Sequence, residues 1–214
     1  TNSARVKIDA VRSYGATVEL VDVSVKSRAE RVGELSSVDP GAYVASAYDC
    51  PWVIGGNASL GRELAAIGLD LDMIVAPVGG GGLSSGIVTG LCGAEDSTPV
   101  WGSEPLVAND AARSLRAGRL LRNESEPQTI ADGARTVSLG RRNWDILSQA
   151  MPGIFEVTEE AIRKSMRILA GLGLRVEPTG AVSLASALEQ PKSFRGRRCC
   201  FVLSGGSVDP GLYK

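Results

Sequence analysis

Met73-Ile74-Val75-Ala76-Pro77-Val78-Gly79-Gly80-Gly81-Gly82-Leu83-Ser84-Ser85-Gly86 is the stretch on which the fold turns. An uninterrupted apolar run of strand character leads into four glycines, and a helix-compatible segment follows from Leu83. Glycines let backbone N–H groups converge on an anion without Cβ obstruction. The N-terminus of the next helix adds partial positive charge at the same point. The pattern predicts a phosphate cradle, and with it a phosphorylated cofactor.

The register of the glycines narrows the ligand. A dinucleotide fingerprint wants Gly at i, i+2 and i+5. Counted from Gly79 or Gly80 the third position is Ser84 or Ser85, and counted from Gly81 the second is Leu83. A Walker loop needs Lys and then Ser or Thr after the last glycine, where Leu83-Ser84 stands. Nucleoside triphosphate hydrolysis is therefore not expected. Glu104 keeps a dinucleotide-dependent oxidoreductase as an alternative, because it follows the strand-like Pro99-Val100-Trp101-Gly102 where a ribose-binding acid would sit.

Composition restricts the chemistry further. The 214 residues are 43% hydrophobic and 22% charged, enough for a substantial core. With 23 basic and 24 acidic residues the net charge is -1, so nothing draws the chain to nucleic acid or an anionic membrane, and a small-molecule substrate is the expectation. Histidine is absent, which removes Ser-His-Asp and Cys-His catalysis and His-ligated zinc. Cys50, Cys92, Cys199 and Cys200 form no CxxC pair and read as buried thiols of a reducing compartment. No apolar run reaches membrane-spanning length and no signal peptide opens the sequence, so a cytoplasmic location is expected. The sequence opens on Thr1-Asn2-Ser3 rather than Met, which suggests a start further upstream.

Periodicity predicts helices over 3–14, stopped by Gly15, and over 24–35, 59–67, 84–92 and 110–117. Thr158 is the expected N-cap of a helix over 159–172, and Thr179 the cap of one running to Leu188. Strands are expected at Thr17–Val21, Ala42–Ala45, Asp72–Val78, Val100–Gly102 and Cys199–Leu203, the last buried. Cys50-Pro51 reads as loop, and 119–142 as polar and irregular. Helices and strands alternating over short connections indicate an α/β fold with a parallel sheet.

Several of these stretches, in order, resemble one family. Val75 to Leu83 resembles the phosphate loop of fold type II pyridoxal-phosphate enzymes, the serine/threonine dehydratases, serine racemases and tryptophan synthase beta-like proteins. Tyr14-Gly15-Ala16-Thr17-Val18 and Val53 to Ser59, followed by Glu63, match upstream. Thr129 to Gly133, Glu177 to Ala181 and Ser204 to Asp209 match downstream. The resemblance implies a three-layer open parallel sheet with helices on both faces as the cofactor-binding large domain, 47–214, joined to the later part of a smaller α/β domain, 1–46. It implies that Gly79, Gly80, Gly81, Gly82 and Leu83 hold the phosphate of pyridoxal 5'-phosphate. Ser204 would meet the pyridine nitrogen, and Glu177 would project toward the cofactor edge. A divalent cation, Mg²⁺, Ca²⁺ or Mn²⁺, is implied at Glu104, the Ala108 carbonyl and Asp110.

The sequence also departs from that pattern. The Schiff-base lysine of the family lies in a Ser-Phe-Lys motif, and none occurs here. Lys7 and Lys26 fall in the small-domain stretch, Lys164 in a polar helix, and Lys192 and Lys214 in terminal loops, so none is expected to replace it. The Ser-Gly-Asn-His loop for the substrate carboxylate is missing too. Ala58 stands where Gly is usual and Ser207 where Asn is usual. The expectation is a serine/threonine dehydratase or serine racemase that is inactive as this chain. Exposed apolar surface should then be met by homodimerisation or by a segment carrying the missing parts. The alternative is a non-catalytic binding or interaction module on the same fold.

Overall fold

A computed structural model describes residues 3–213. The readings for Thr1, Asn2 and Lys214 lie outside the described residues. The centre is a parallel sheet of β1 (Met73–Pro77), β2 (Val100–Pro105), β3 (Ile154–Val157) and β4 (Cys199–Phe201), in the order β3-β2-β1-β4. Ile74 lies opposite Val100, Met73 opposite Cys199, and Glu104 opposite Glu156. All of β1 is buried, which explains why its sequence is apolar without alternation: a central parallel strand is covered on both faces.

Alternate residues feed the two faces. Ile74, Ala76 and Val78 pack with Ile87, Leu91, Trp144 and Leu147 beneath α3 (Pro51–Ile67), α4 (Gly82–Gly93) and α6 (Arg141–Ala150). Met73 and Val75 pack on the other face with Phe155, flanked by Trp101, Phe194 and Phe201. Trp101 and Phe155 stack at 5.1 Å there. That face continues into α7 (Glu159–Gly171) and α8 (Pro178–Glu189), where Val157, Ile162, Val182 and Ala185 close a further core. Helices on both faces of a parallel sheet make the three-layer α/β architecture that the resemblance implied.

Helices α3 and α4 touch backbone to backbone. A Cβ added to Gly90 would lie 2.2 Å from the Ala58 carbonyl oxygen, and one on Gly61 2.3 Å from that of Ile87. This close packing sets the start of α4 firmly beside the sheet. Thr158 caps α7 as expected, its hydroxyl accepting from Ala161 N at 3.2 Å.

Several elements differ from the sequence-based expectations. Thr17–Val21 and Ala42–Ala45 form no strand, and none of the described residues before Ile54 is buried. That region holds two helices, α1 (Arg5–Ser13) and α2 (Arg28–Val38), the second starting later than expected under a Ser27/Glu30 capping box. Helix α3 begins at Pro51 rather than Ser59, because proline fits the first helical position. Thr179 is not a cap: Pro178 opens α8 and Glu177 holds the cap position. The segment 119–142 ends inside α6, whose N-terminus is capped from far away by Asp49, accepting from Arg141 N and Arg142 N at 3.0 Å. Strand β4 is short and half-buried because it lies at the sheet edge. The cysteines are not buried either: Cys92 is exposed and the other three are intermediate.

Candidate functional site

Beyond the C-terminal end of β1 the chain enters the glycine run, which borders a cavity of about 640 Å³. Val78 N makes the last sheet bond, to Ser103 O at 2.8 Å. The next backbone donor with a backbone acceptor is Ser85 N, bonded to Gly81 O at 2.9 Å. Among the described residues, the N–H groups from Gly79 to Ser84 have no backbone acceptor. They sit at the positive end of α4, an anion site by construction.

All four glycines leave no room for a Cβ: one on Gly79 would lie 2.6 Å from Gly133 O, and one on Gly82 2.9 Å from Tyr48 O. Gly81 has φ +92, a left-handed conformation that side chains rarely adopt. A Cβ on Gly80 would lie 2.2 Å from the Tyr48 ring, which covers the loop. Asn143, fully buried on α6, donates through Nδ2 to Gly80 O at 2.8 Å and to Tyr48 O at 3.0 Å. Gly140 N also donates to Gly80 O, at 3.0 Å. The loop is thus held from behind by α6 and from the side by Tyr48.

The structure brings Gly79, Gly80, Gly81, Gly82, Leu83 and Ser204 to one cavity. Glu177 is not among its lining residues. Its carboxylate packs on Gly205, where an added Cβ would meet Oε1 at 2.5 Å, and its Oε2 is 3.1 Å from Lys7 Nζ. Lys7 does line the cavity, and its ammonium also donates to Asp132 Oδ1 at 2.8 Å. Burial works to lower the Lys7 pKa, but the hydrogen bonds and charges of Asp132 and Glu177 outweigh it and raise the value. The lysine read as part of a small-domain helix therefore reaches the site, clamped between two carboxylates.

Sequence reasoning also missed Tyr48, Asp132 and Thr136 as lining residues. The Thr136 hydroxyl oxygen is buried there without a hydrogen-bond partner, a feature that suits a polar ligand. Only Asp132 carried a signal, as part of Thr129 to Gly133. The others come from stretches without a periodic or motif cue.

Glu104, Ala108 and Asp110 are all buried where β2 runs into α5 (Asp110–Ala117). Glu104 Oε1 accepts from Ala112 N at 2.7 Å. Asp110 accepts from Asn123 Nδ2 at 2.9 Å and Leu139 N at 3.0 Å. Burial first, and then the charges of Asp110 and Glu156, push the Glu104 carboxyl well above the usual carboxylate range. Burial likewise raises Asp110, to about 6. Neither forms an ion pair with Lys or Arg among the described residues. Both are buried carboxyl groups without an ion-pair partner, and no group of three or more His, Cys, Asp or Glu residues that could hold a metal ion forms among the described residues.

A parallel α/β sheet ending in a glycine cradle at a helix N-terminus defines a phosphate-ligand protein. Comparison with known proteins specifies which. The family profile described as "Pyridoxal-phosphate dependent enzyme" matches residues 1–205, and the chain belongs to this family. It is 32% identical over 214 residues to L-threo-3-hydroxyaspartate ammonia-lyase of a Pseudomonas species, covering 100% of this chain and 66% of the relative. It is 34% identical to the serine racemase of Mus musculus, covering 94% of this chain and 60% of that protein. The crystal structure of a threonine deaminase from T.th. superposes with a TM-score of 0.87 at 41% identity, over 95% of this chain and 67% of that one. The chain thus spans 60 to 66% of the length of these two curated relatives. Family membership decides against the dinucleotide alternative that Glu104 had kept open.

Proposed function

We propose that this chain forms the phosphate-binding part of a pyridoxal-phosphate site in an amino-acid dehydratase or racemase of the serine/threonine type. The observation that carries this reading is the row of N–H groups from Gly79 to Ser84 without a backbone acceptor at the start of α4, in a chain of the pyridoxal-phosphate family. Gly79 to Gly82 and Leu83 hold the phosphate. The Ser204 hydroxyl serves the ring nitrogen, and as a neutral group it leaves that nitrogen less protonated, which suits β-elimination better than transamination. Glu177 acts one layer back, by fixing Lys7 at the cavity wall. When bound, pyridoxal phosphate draws electrons from the α-carbon of the amino acid.

Lys7 is tied up in two ion pairs, so it is no free base for the α-proton. This chain alone is therefore inactive in our reading, and a second segment completes the site. Residues 1–46 belong to the smaller domain, and the exposed Tyr14, Tyr43 and Trp52 await a covering partner, either a second copy or the completing segment. No helix of the described residues is long and apolar enough to cross a membrane. Glu104, the Ala108 carbonyl and Asp110 hold Mg²⁺, Ca²⁺ or Mn²⁺ in this reading.

Pyridoxal phosphate added to the purified chain, followed by borohydride and peptide mass analysis, tests the reading. Saturable binding with no pyridoxyl-lysine is expected, and serine or threonine should yield no keto acid above buffer. Absence of saturable binding would refute the cofactor reading. A label on Lys7, or keto acid production, would refute inactivity alone.

A further inference from the structure

Asn143 combines a fully used donor with an unused acceptor. Its side chain is fully buried, and its Nδ2 bridges Gly80 O at 2.8 Å and Tyr48 O at 3.0 Å. Its Oδ1 is buried without any partner. The amide cannot be turned around, since Oδ1 would then face two carbonyl oxygens. A buried acceptor left unpaired is unfavourable by about 1–3 kcal/mol, which offsets most of what the two Nδ2 bonds contribute to folding.

The gain lies in the glycine loop. In a trans peptide the carbonyl and the following N–H point in opposite directions. Gly80 O is drawn toward α6 by both Asn143 Nδ2 and Gly140 N. The Gly81 N–H is thereby turned away from α6. Without these donors, Gly80 and Gly81 could rotate their shared peptide freely, as glycines do. The same amide holds Tyr48, whose ring lies over Gly80 and limits the loop from the cavity side.

We propose that Asn143 is a positioning residue for phosphate recognition: it locks the Gly80–Gly81 peptide so that its N–H serves the ligand phosphate. The inference rests on the cofactor reading above, but it concerns the phosphate alone, which gives it a separate test. Pyridoxal 5'-phosphate and phosphate-free pyridoxal are titrated against the wild-type chain and Asn143→Leu, with thermal melting of each. Wild type should prefer the phosphorylated form. In N143L the affinity for pyridoxal phosphate should fall about tenfold, the effect of one well-placed hydrogen bond, with pyridoxal affinity unchanged. The melting temperature should change little, because loss of the unpaired Oδ1 offsets the donor withdrawn from the Gly80 and Tyr48 carbonyl oxygens.

Equal losses for both ligands, or no loss for either, would overturn the proposal and leave the cofactor reading standing. A wild type that binds neither form overturns that reading and the inference together. Should N143L fail to fold, Asn143→Ala is read by the same ratio of the two affinities. If neither variant folds, Asn143 is a folding residue and the proposal is wrong.

Discussion

The glycine run and the N-terminal helices present opposite relations between sequence and surroundings. All of β1 and most of α4 are buried, and at Gly86 and Gly90 backbone approaches backbone so closely that an added methyl group has nowhere to go. In α1 and α2 no residue is buried, and Val38 at the end of α2, with Tyr14 and Val25 in the segment between the helices, are each more than 80% exposed. Ion pairs are prominent in the docking of this region: Lys7 to Asp132 and Glu177, and Arg28 to Glu126. One part of the molecule is specified by shape, the other by charge and by what its apolar side chains have yet to meet.

Glycine-to-alanine substitutions break this comparison most directly, because the same change should have opposite signs in the two regions. Gly90→Ala drives a methyl into the Ala58 carbonyl, and about 3 kcal/mol of stability should be lost in urea unfolding. Unchanged stability would mean that α3 and α4 are not in such close contact. Gly80→Ala pushes against the Tyr48 ring, which must move, and pyridoxal-phosphate affinity should fall at least about tenfold by titration.

Lys7→Met probes the charge-held region and should lower stability by about 1 kcal/mol, with added salt shrinking the difference. Its pH dependence follows from a folded pKa above the ordinary 10.5. The folded state binds the proton more tightly, so the Lys7 contribution is complete below the unfolded value and disappears as pH rises through the folded one. Melting curves of wild type and variant should therefore keep a constant separation from pH 6 to 9, a range chosen to lie about one unit or more below that value. A gap that closes within this window would rule out the ion pair as its source. The smallest effect is expected from Gly33→Ala in exposed α2, where nothing lies within 4 Å: a gain of roughly 0.5–1 kcal/mol from helix propensity.

The same contrast explains what could be read from the chain in advance. The continuous apolar run of β1 and the glycines after it made the parallel strand, the turn and the phosphate cradle legible, since these depend on local backbone chemistry. Thr17–Val21 and Ala42–Ala45 have strand composition yet form none, because a strand exists only through a hydrogen-bonded neighbour and here they have none. Helix α6 was hidden for the converse reason: its cap is Asp49, far away in sequence. Cys199–Leu203 looked like core, but edge position leaves β4 half-buried.

By itself, the sequence determined the α/β class, the glycine turn from β1 into α4 and, through the family resemblance, the choice of Ser204, which the fold brings to the same cavity. Tertiary structure alone decided that Lys7 reaches that site, that Glu177 stands behind it, and that Asn143 holds the Gly80 carbonyl. Glycine conformations and strand apolarity are properties of neighbours along the chain. The partners of a buried amide or a clamped ammonium are far apart in sequence, here by 63 residues for Asn143 and Gly80 and 125 for Lys7 and Asp132, and only the packed fold brings them together.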